Sequence, residues 1–144
     1  KIKRKKFVCI VLLGLWVSPA LSLENDNTVV DIQTDRGLIT VQLEDTAAPI
    51  TVGNFLSYVD EGFYENTLFH RVINNFMIQG GGYSDDLVLQ ETHAPIALET
   101  ANGLSNVRGT IAMARMGEPD TATAQFFINT VNNEFLDYPV FSKK

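Results

Sequence analysis

Arg71 and Gln79 are the side chains of this sequence best placed to do chemistry, because both lie among large apolar residues in the stretch 69–82, which ends in three glycines. Alternate residues of a β-strand share one face. If two strands meet at a turn around Asn74 and Asn75, Arg71 and Gln79 fall on the same face of the pair. The guanidinium of Arg71 and the amide of Gln79 then lie together above a surface of apolar side chains. The pattern predicts a binding site built on a strand pair.

Other kinds of chemistry are not indicated. His70 and His93 are far apart, and the one cysteine, Cys9, lies near the amino terminus, so no metal-ligand spacing is present. No motif around either histidine suggests a nucleophile and its base. Glycines 80–82 lack the Gly-Lys-Ser/Thr ending of a phosphate-binding loop, and a tight turn or bulge is the simpler interpretation. We therefore expect no metal and no cofactor.

Two later segments complete a specific series. Residues 109–115 read Gly-Thr-Ile-Ala-Met-Ala-Arg, and residues 125–129 read Gln-Phe-Phe-Ile-Asn. Together with Phe-His-Arg at 69–71, and in this order, they resemble the cyclophilins, which are peptidyl-prolyl cis-trans isomerases. The resemblance extends over about residues 29–141 and is specific, because several uncommon strings recur in the same order.

The resemblance implies a role for each residue of the site. Arg71 takes the place of the catalytic arginine, and Gln79 that of a glutamine that hydrogen-bonds the substrate backbone. Ala114, Arg115 and Gln125 would line the groove, Arg115 chiefly through its main chain. The apolar pocket for the proline ring would be formed by Phe76, Met77, Phe127 and Leu136. The implied partners are proline-containing polypeptides.

Isomerisation of a prolyl bond needs no nucleophile. Resonance in the peptide bond creates a barrier of roughly 18–20 kcal/mol to rotation. At the twisted transition state the amide nitrogen recovers its lone pair, so a donor aimed at that nitrogen or at the carbonyl oxygen binds the transition state best. The permanently charged guanidinium of Arg71 suits this task.

Each of these residues also has a plainer interpretation. Large apolar side chains such as Phe76 and Phe127 belong to a core more often than to a pocket, and Arg71 alone would fit a surface ion pair. Only their joint occurrence favours a site. Strand alternation points His70 away from Arg71, so we expect a packed or hydrogen-bonded structural histidine.

The elements that must position these residues begin with a hairpin and a helix. Residues 29–34 and 38–43 alternate apolar with polar around a turn at 35–37, which predicts a β-hairpin. A helix is predicted to begin at Pro49 and to stop before Gly62, because apolar residues recur there at helical spacing. We expect this helix to cap one end of a sheet.

The rest of the chain predicts more strands. Besides the pair at 69–82, strands are expected at 109–114 and 126–129, with a short edge strand at 94–98 and a groove-lining loop at 115–124. Mostly antiparallel strands with little helix predict a mainly β fold, an antiparallel β-barrel capped by a helix.

The first 22 residues have the three-part layout of a secretory signal peptide. A basic cluster precedes the apolar run 7–17, and small residues favour cleavage after Ser22. The alternative is an uncleaved membrane anchor, since residues 7–23 approach the roughly 20 that span a bilayer. We expect cleavage, a flexible lead-in at 23–28 and a periplasmic location.

Cleavage would leave an acidic protein. Removing residues 1–22 takes away five of the eleven basic residues and no acidic ones, which leaves six against seventeen and a net charge of −11. Such a surface argues against binding nucleic acid or anionic lipid. The remaining 122 residues suit one domain, residues 29–144, and we expect a monomer with no stable membrane association.

The carboxyl-terminal end departs from the family pattern. Cyclophilins continue past a Val-Phe-Gly string into a closing strand and a helix, whereas residues 140–144 read Val-Phe-Ser-Lys-Lys, so we expect a barrel that is incomplete there. Three functions therefore stay open: an isomerase of exported unfolded or partly folded proteins, a non-catalytic peptide-binding module or chaperone, and an inactive fragment. The intact Arg71, Gln79 and Phe127 favour the enzyme.

Overall fold

The computed structural model describes residues 1–4 and 27–138, in which two antiparallel sheets and one α-helix share a core. One sheet has the strand order β1-β2-β3 and the other β4-β5-β7-β6. The mainly β class predicted from the sequence is confirmed. The elements are β1 (Ile2–Arg4), β2 (Val29–Thr34), β3 (Gly37–Gln42), α1 (Pro49–Asp60), β4 (Arg71–Ile73), β5 (Met77–Gly80), β6 (Ile111–Met113), β7 (Phe126–Asn129) and a 3-10 helix (Glu134–Leu136).

The predicted hairpin is present as β2 and β3. The two strands pair from Val29 opposite Gln42 to Thr34 opposite Gly37. Gly37 follows the turn with a φ of +130°, a conformation that side chains rarely adopt. Alternate residues of β2 are buried, among them Val30 at 0% exposure. The alternation read from the sequence therefore marks the core face correctly.

The first residues of the chain form the edge strand β1. Ile2 pairs with Ile32 of β2 and is buried in the core, while Arg4 donates to the Asp60 carboxylate of α1 at 2.8 Å. The apolar run 7–17 and the cleavage point after Ser22 lie outside the described residues, so the signal peptide stays a prediction. Within residues 1–4 and 27–138, no helix has the length and apolar character needed to cross a bilayer.

Helix α1 forms where the sequence predicts it and packs one face into the core. Proline occupies the first turn, and the helix ends just before Gly62, whose φ is +73°. Phe55 makes an edge-on contact with Phe126 of β7 at 5.7 Å between ring centroids, which joins the helix to the second sheet. The buried residues of the helix are Val52, Phe55, Leu56, Tyr58 and Val59.

One local prediction differs from the structure. Residues 94–98 do not form an edge strand; they make a single bridge, between Ile96 and Ala122. Pro95 has no N–H to donate, and the N–H of Leu98 donates to the Asp120 carboxylate rather than to a strand. Thr28 donates through its N–H and its hydroxyl to the Asp45 carboxylate, and the flexible lead-in at 23–28 stays a prediction. Residues 23–26 lie outside the described part.

Candidate active site

Strands β4 and β5 bring the arginine and the glutamine together. The strands pair antiparallel with Arg71 opposite Gln79, and Asn75 makes the turn between them with a φ of +53°. Arg71 Nη1 donates a hydrogen bond of 3.0 Å to Gln79 Oε1. The meeting of these two side chains, predicted from strand alternation, is confirmed.

The hydrogen-bond chain continues beyond Gln79. Its Nε2 donates to Gln125 Oε1 at 2.8 Å, so both ends of the Gln79 amide are held and its oxygen faces Arg71. Gln125 comes directly before β7, which pairs with β5 and places Phe127 opposite Gln79. Three polar side chains from three segments therefore form one line across the sheet.

Gly81 and Gly82, which follow β5, leave room for the side chains packed around Gln125. A Cβ atom on Gly82 would lie 2.5 Å from Cγ of Gln125, so a side chain there would displace the glutamine. Gly81 has a φ of +79°, and a Cβ atom there would lie 2.8 Å from the Tyr64 ring and 2.9 Å from the Phe126 ring. The prediction of a tight turn beside the site agrees with these contacts.

A groove of about 600 Å³ lies beside the Arg71–Gln79 pair. Met77 at its base is buried, with 2% exposure, whereas Phe127 is only partly buried. Gln125 does not line the groove and reaches it only through Gln79. The other predicted site residues all line it: Arg71, Phe76, Met77, Gln79, Ala114, Arg115, Phe127 and Leu136.

Arg115 contributes to the groove wall in a folded-back conformation. Its Nη1 donates to the carbonyl oxygens of Met116, Gly117 and Glu118 at 3.0, 3.2 and 3.3 Å, which stabilises its own loop. The N–H of the preceding Ala114 donates to the carbonyl of Gln125. The guanidinium of Arg115 is therefore hydrogen-bonded to its own loop, and the prediction that Arg115 acts chiefly through its main chain stays a prediction.

Comparison with known proteins decides the family. Residues 29–143 match the model of the cyclophilin type peptidyl-prolyl cis-trans isomerase/CLD family. A peptidyl-prolyl cis-trans isomerase of Acinetobacter baylyi is 50% identical over 146 residues, which cover 96% of this chain and 76% of that protein. This chain belongs to the cyclophilin family.

Two further relatives agree with this assignment. Peptidyl-prolyl cis-trans isomerase B of Escherichia coli is 54% identical over 110 residues, which cover 76% of this chain and 67% of that protein. The crystal structure of a cyclophilin type isomerase from Cryptosporidium parvum aligns with a TM-score of 0.65 and 30% identity over 74% of this chain and 69% of that one. Peptidyl-prolyl cis-trans isomerisation is therefore the activity of this cyclophilin, and proline-containing peptides are its substrates.

His70 takes no part in the line of polar groups. Its ring packs against Tyr83 with 4.5 Å between centroids, and its Nδ1 is buried. This agrees with the expectation of a structural histidine. In the described part of this cyclophilin, no three His, Cys, Asp or Glu side chains cluster as metal ligands would.

Sequence reasoning missed one wall of the cyclophilin groove, residues 96–100. Glu99 lies there and accepts hydrogen bonds from the N–H groups of Ile50 and Thr51 and from the Thr51 hydroxyl. One signal was available: Ala48, just before α1, has no side-chain acceptor for the first N–H groups of the helix. An acceptor therefore had to come from elsewhere, although the sequence does not say from where.

Proposed function

We propose that Arg71 is the catalytic residue and that it acts by hydrogen bonding to the twisted prolyl amide. One observation carries the proposal: Arg71 Nη1 donates to Gln79 Oε1 at 3.0 Å at the edge of an apolar groove. A guanidinium has five N–H donors, and this bond uses one of them. The bond fixes the direction of the planar group, and other donors remain for substrate.

The proposed mechanism is electrostatic, and no covalent bond forms or breaks. The proline ring enters the pocket formed by Phe76, Met77, Phe127 and Leu136, and the preceding carbonyl rotates past Arg71. As the amide loses its resonance, electron density returns to the nitrogen, and a donor held there stabilises the rotated state more than either planar isomer. Gln79 holds the substrate backbone while its own amide stays fixed by Gln125.

Replacement of Arg71 tests the proposal. We expect Arg71→Ala to lower kcat/KM on an X-Pro peptide by two to three orders of magnitude, equivalent to roughly 2.7–4 kcal/mol, by analogy with the loss of one oxyanion donor. Arg71→Lys should restore only part of the rate, because an ammonium lacks the planar fork. Arg36→Ala, at an exposed arginine of the β2–β3 turn, is the matched control. Parental activity in a folded Arg71→Ala protein would remove Arg71 from the mechanism.

The pocket is tested separately from the arginine. Phe127→Ala removes an apolar wall but leaves the Arg71–Gln79 pair in place, so it should weaken proline binding more than it slows rotation. We expect KM to rise with kcat nearly unchanged, the pattern of lost uniform binding. A fall in kcat alone would instead place Phe127 among the groups that act only in the transition state.

We further propose that the substrates are unfolded or partly folded exported proteins and that the location is the periplasm. The support is the basic start and the apolar run 7–17, the layout of a signal peptide. Intact-mass measurement of the protein from its native host should give a chain that begins at Leu23. A membrane-bound product of full length would contradict export with cleavage.

A further inference from the structure

Asn129 and Asn133 are nearly inaccessible to water, with exposures of 1% and 2%. Asn133 Nδ2 donates to Asn129 Oδ1 at 2.7 Å. Asn129 Nδ2 in turn donates to Thr110 Oγ1 at 2.9 Å and to Asn106 Oδ1 at 3.3 Å. Burying an amide is unfavourable unless its groups find partners. These amides find them in one another, and we call Asn106, Thr110, Asn129 and Asn133 the amide network.

The amide network ends at the carbonyl oxygen of Phe76. This oxygen accepts a hydrogen bond of 2.9 Å from Asn133 Nδ2 and another of 3.0 Å from the N–H of Thr130. Phe76 follows Asn74 and Asn75, which are both exposed in the β4–β5 turn. Within the turn, the N–H of Phe76 donates to the carbonyl of Ile73 at 3.2 Å. The two hydrogen bonds to the Phe76 oxygen come from outside the turn and tie Phe76 to Thr130 and Asn133.

The same network also holds a second segment that lines the pocket. Asn133 directly precedes the 3-10 helix Glu134–Leu136, and its N–H donates to the carbonyl of Asn106 at 2.7 Å. That helix carries Leu136 into the groove and stacks Phe135 on Phe76, with 5.7 Å between ring centroids. Asn133 therefore contacts neither the groove nor a substrate, but it joins two segments that line the pocket.

Asp137 secures the far end of the same 3-10 helix. Its carboxylate accepts from the Ser105 hydroxyl and from the N–H and Nδ2 of Asn106, at 2.8 and 2.9 Å for the last two. The Ser105 hydroxyl, followed by the Asn106 groups, lowers the pKa of this carboxyl despite some desolvation. Asn106 thus holds both ends of the segment 133–137.

We propose that Asn133 is a positioning residue that sets the width of the proline pocket by holding the Phe76 carbonyl and the start of the 3-10 helix at a fixed separation. This rests on the proposed role of Phe76 and Leu136 in binding the proline ring. The pocket contacts proline in the planar and twisted states alike, so a misplaced wall weakens both to a similar degree. Asn133 then affects KM rather than kcat.

Asn133→Asp tests the proposal, because aspartate has the same shape as asparagine but lacks the Nδ2 donor. Its carboxylate oxygen would face the Phe76 carbonyl oxygen and Asn129 Oδ1, which are both acceptors. We expect KM for a short X-Pro peptide to rise about tenfold with kcat within about twofold of the parent. Asn132→Asp is the matched control: the residue is exposed, and its Oδ1 accepts from the Arg108 N–H, a role that aspartate keeps. Its KM and kcat should equal those of the parent.

A milder variant covers the case in which Asn133→Asp does not fold. Thr110→Val keeps the shape of the side chain but removes the hydroxyl, which accepts from Asn129 and donates to the Val107 carbonyl. We expect a KM rise of about threefold. Rates are referred to the folded fraction measured by circular dichroism. A purely structural role would lower the melting temperature and leave KM unchanged in both variants, which would overturn the proposal. If the parent itself were inactive, the proposed function would fail instead.

Discussion

Gln125 is linked to Arg71, the proposed catalytic residue, only through Gln79. An amide side chain is nearly symmetric in shape, so packing alone does not decide whether its oxygen or its nitrogen faces a neighbour. The bond from Gln79 Nε2 to Gln125 Oε1 makes that choice and turns the Gln79 oxygen towards Arg71. Gln125 is therefore expected to matter for turnover although it does not line the groove.

Gln125→Leu should lower kcat by about tenfold, because Gln79 would lose the acceptor that orients it and Arg71 would be held less firmly. In an Arg71→Ala background, Gln125→Leu should lower kcat almost no further, since Gln125 acts on Arg71 through the hydrogen-bond chain that Gln79 completes. The measurement is kcat on an X-Pro peptide for the two single variants and the double variant. Gln42→Leu, at an exposed glutamine of β3, is the control. Additive losses would show that Gln125 acts independently of Arg71.

Contacts between site residues could be predicted from the sequence where the residues lie close together along the chain. Arg71 and Gln79 are eight positions apart, and strand alternation with one turn places them together. Gln125 is 46 positions from Gln79, and their contact depends on the pairing of β5 with β7, for which the local pattern carries no signal. For Gln125 only the family resemblance pointed to the groove, and it did not indicate the contact with Gln79.

Helix α1 depends for its amino terminus on a residue 48 positions away. The first N–H groups of a helix have no partner within it, and the helix dipole favours a negative charge beside them. Glu99 supplies that charge: Oε2 accepts from the N–H and the hydroxyl of Thr51 at 2.7 Å, and Oε1 accepts from the Ile50 N–H at 3.1 Å. The contact also holds the groove wall 96–100 against the helix, so one carboxylate joins a structural element to the site.

Glu99→Gln should lower the free energy of unfolding by about 1 kcal/mol at pH 7, because one acceptor and the charge are lost. Desolvation raises the pKa of Glu99, but the hydrogen bonds from Thr51 and Ile50 outweigh it, so the pKa lies below its ordinary value of 4.5. A lowered pKa means that the stabilisation is complete well above pH 4.5 and is lost as the pH falls through the folded-state pKa.

Urea denaturation of the parent and Glu99→Gln at several pH values measures this difference. It should be largest near neutral pH and shrink in acid. Glu91→Gln removes the same charge from an exposed position of the same loop and serves as the control. A difference between the parent and Glu99→Gln that stays constant down to acid pH would mean that the charge of Glu99 does not stabilise the helix.

For the molecule as a whole, the sequence predicted the class of the fold better than its connections. The alternation in β2 and β3 and the helical spacing in α1 are patterns of neighbouring residues. All three elements form as predicted. The order β4-β5-β7-β6 and the pairing of β1 with β2 join distant segments, so local periodicity does not predict them. The strand β1 was read only as the basic start of a signal peptide, because three residues are too few to show a strand pattern.

The chain that begins at Leu23 should be less stable than the full chain, because removing residues 1–22 removes β1. Ile2 is 7% exposed and packs in the core, and burying such a side chain contributes about 1.5–3 kcal/mol. The ion pairs of Lys1 and Arg4 are exposed and add little. The free energies of unfolding of residues 1–144 and 23–144, measured with heat and urea, should differ by about the burial energy of Ile2.

Ile2→Ala in the full chain should reproduce most of this loss of stability, while Lys3→Ala, at the exposed middle of the strand, should not. Equal free energies of unfolding for the two chains would show that β2 does not need β1 and that residues 1–22 can be removed without loss of stability.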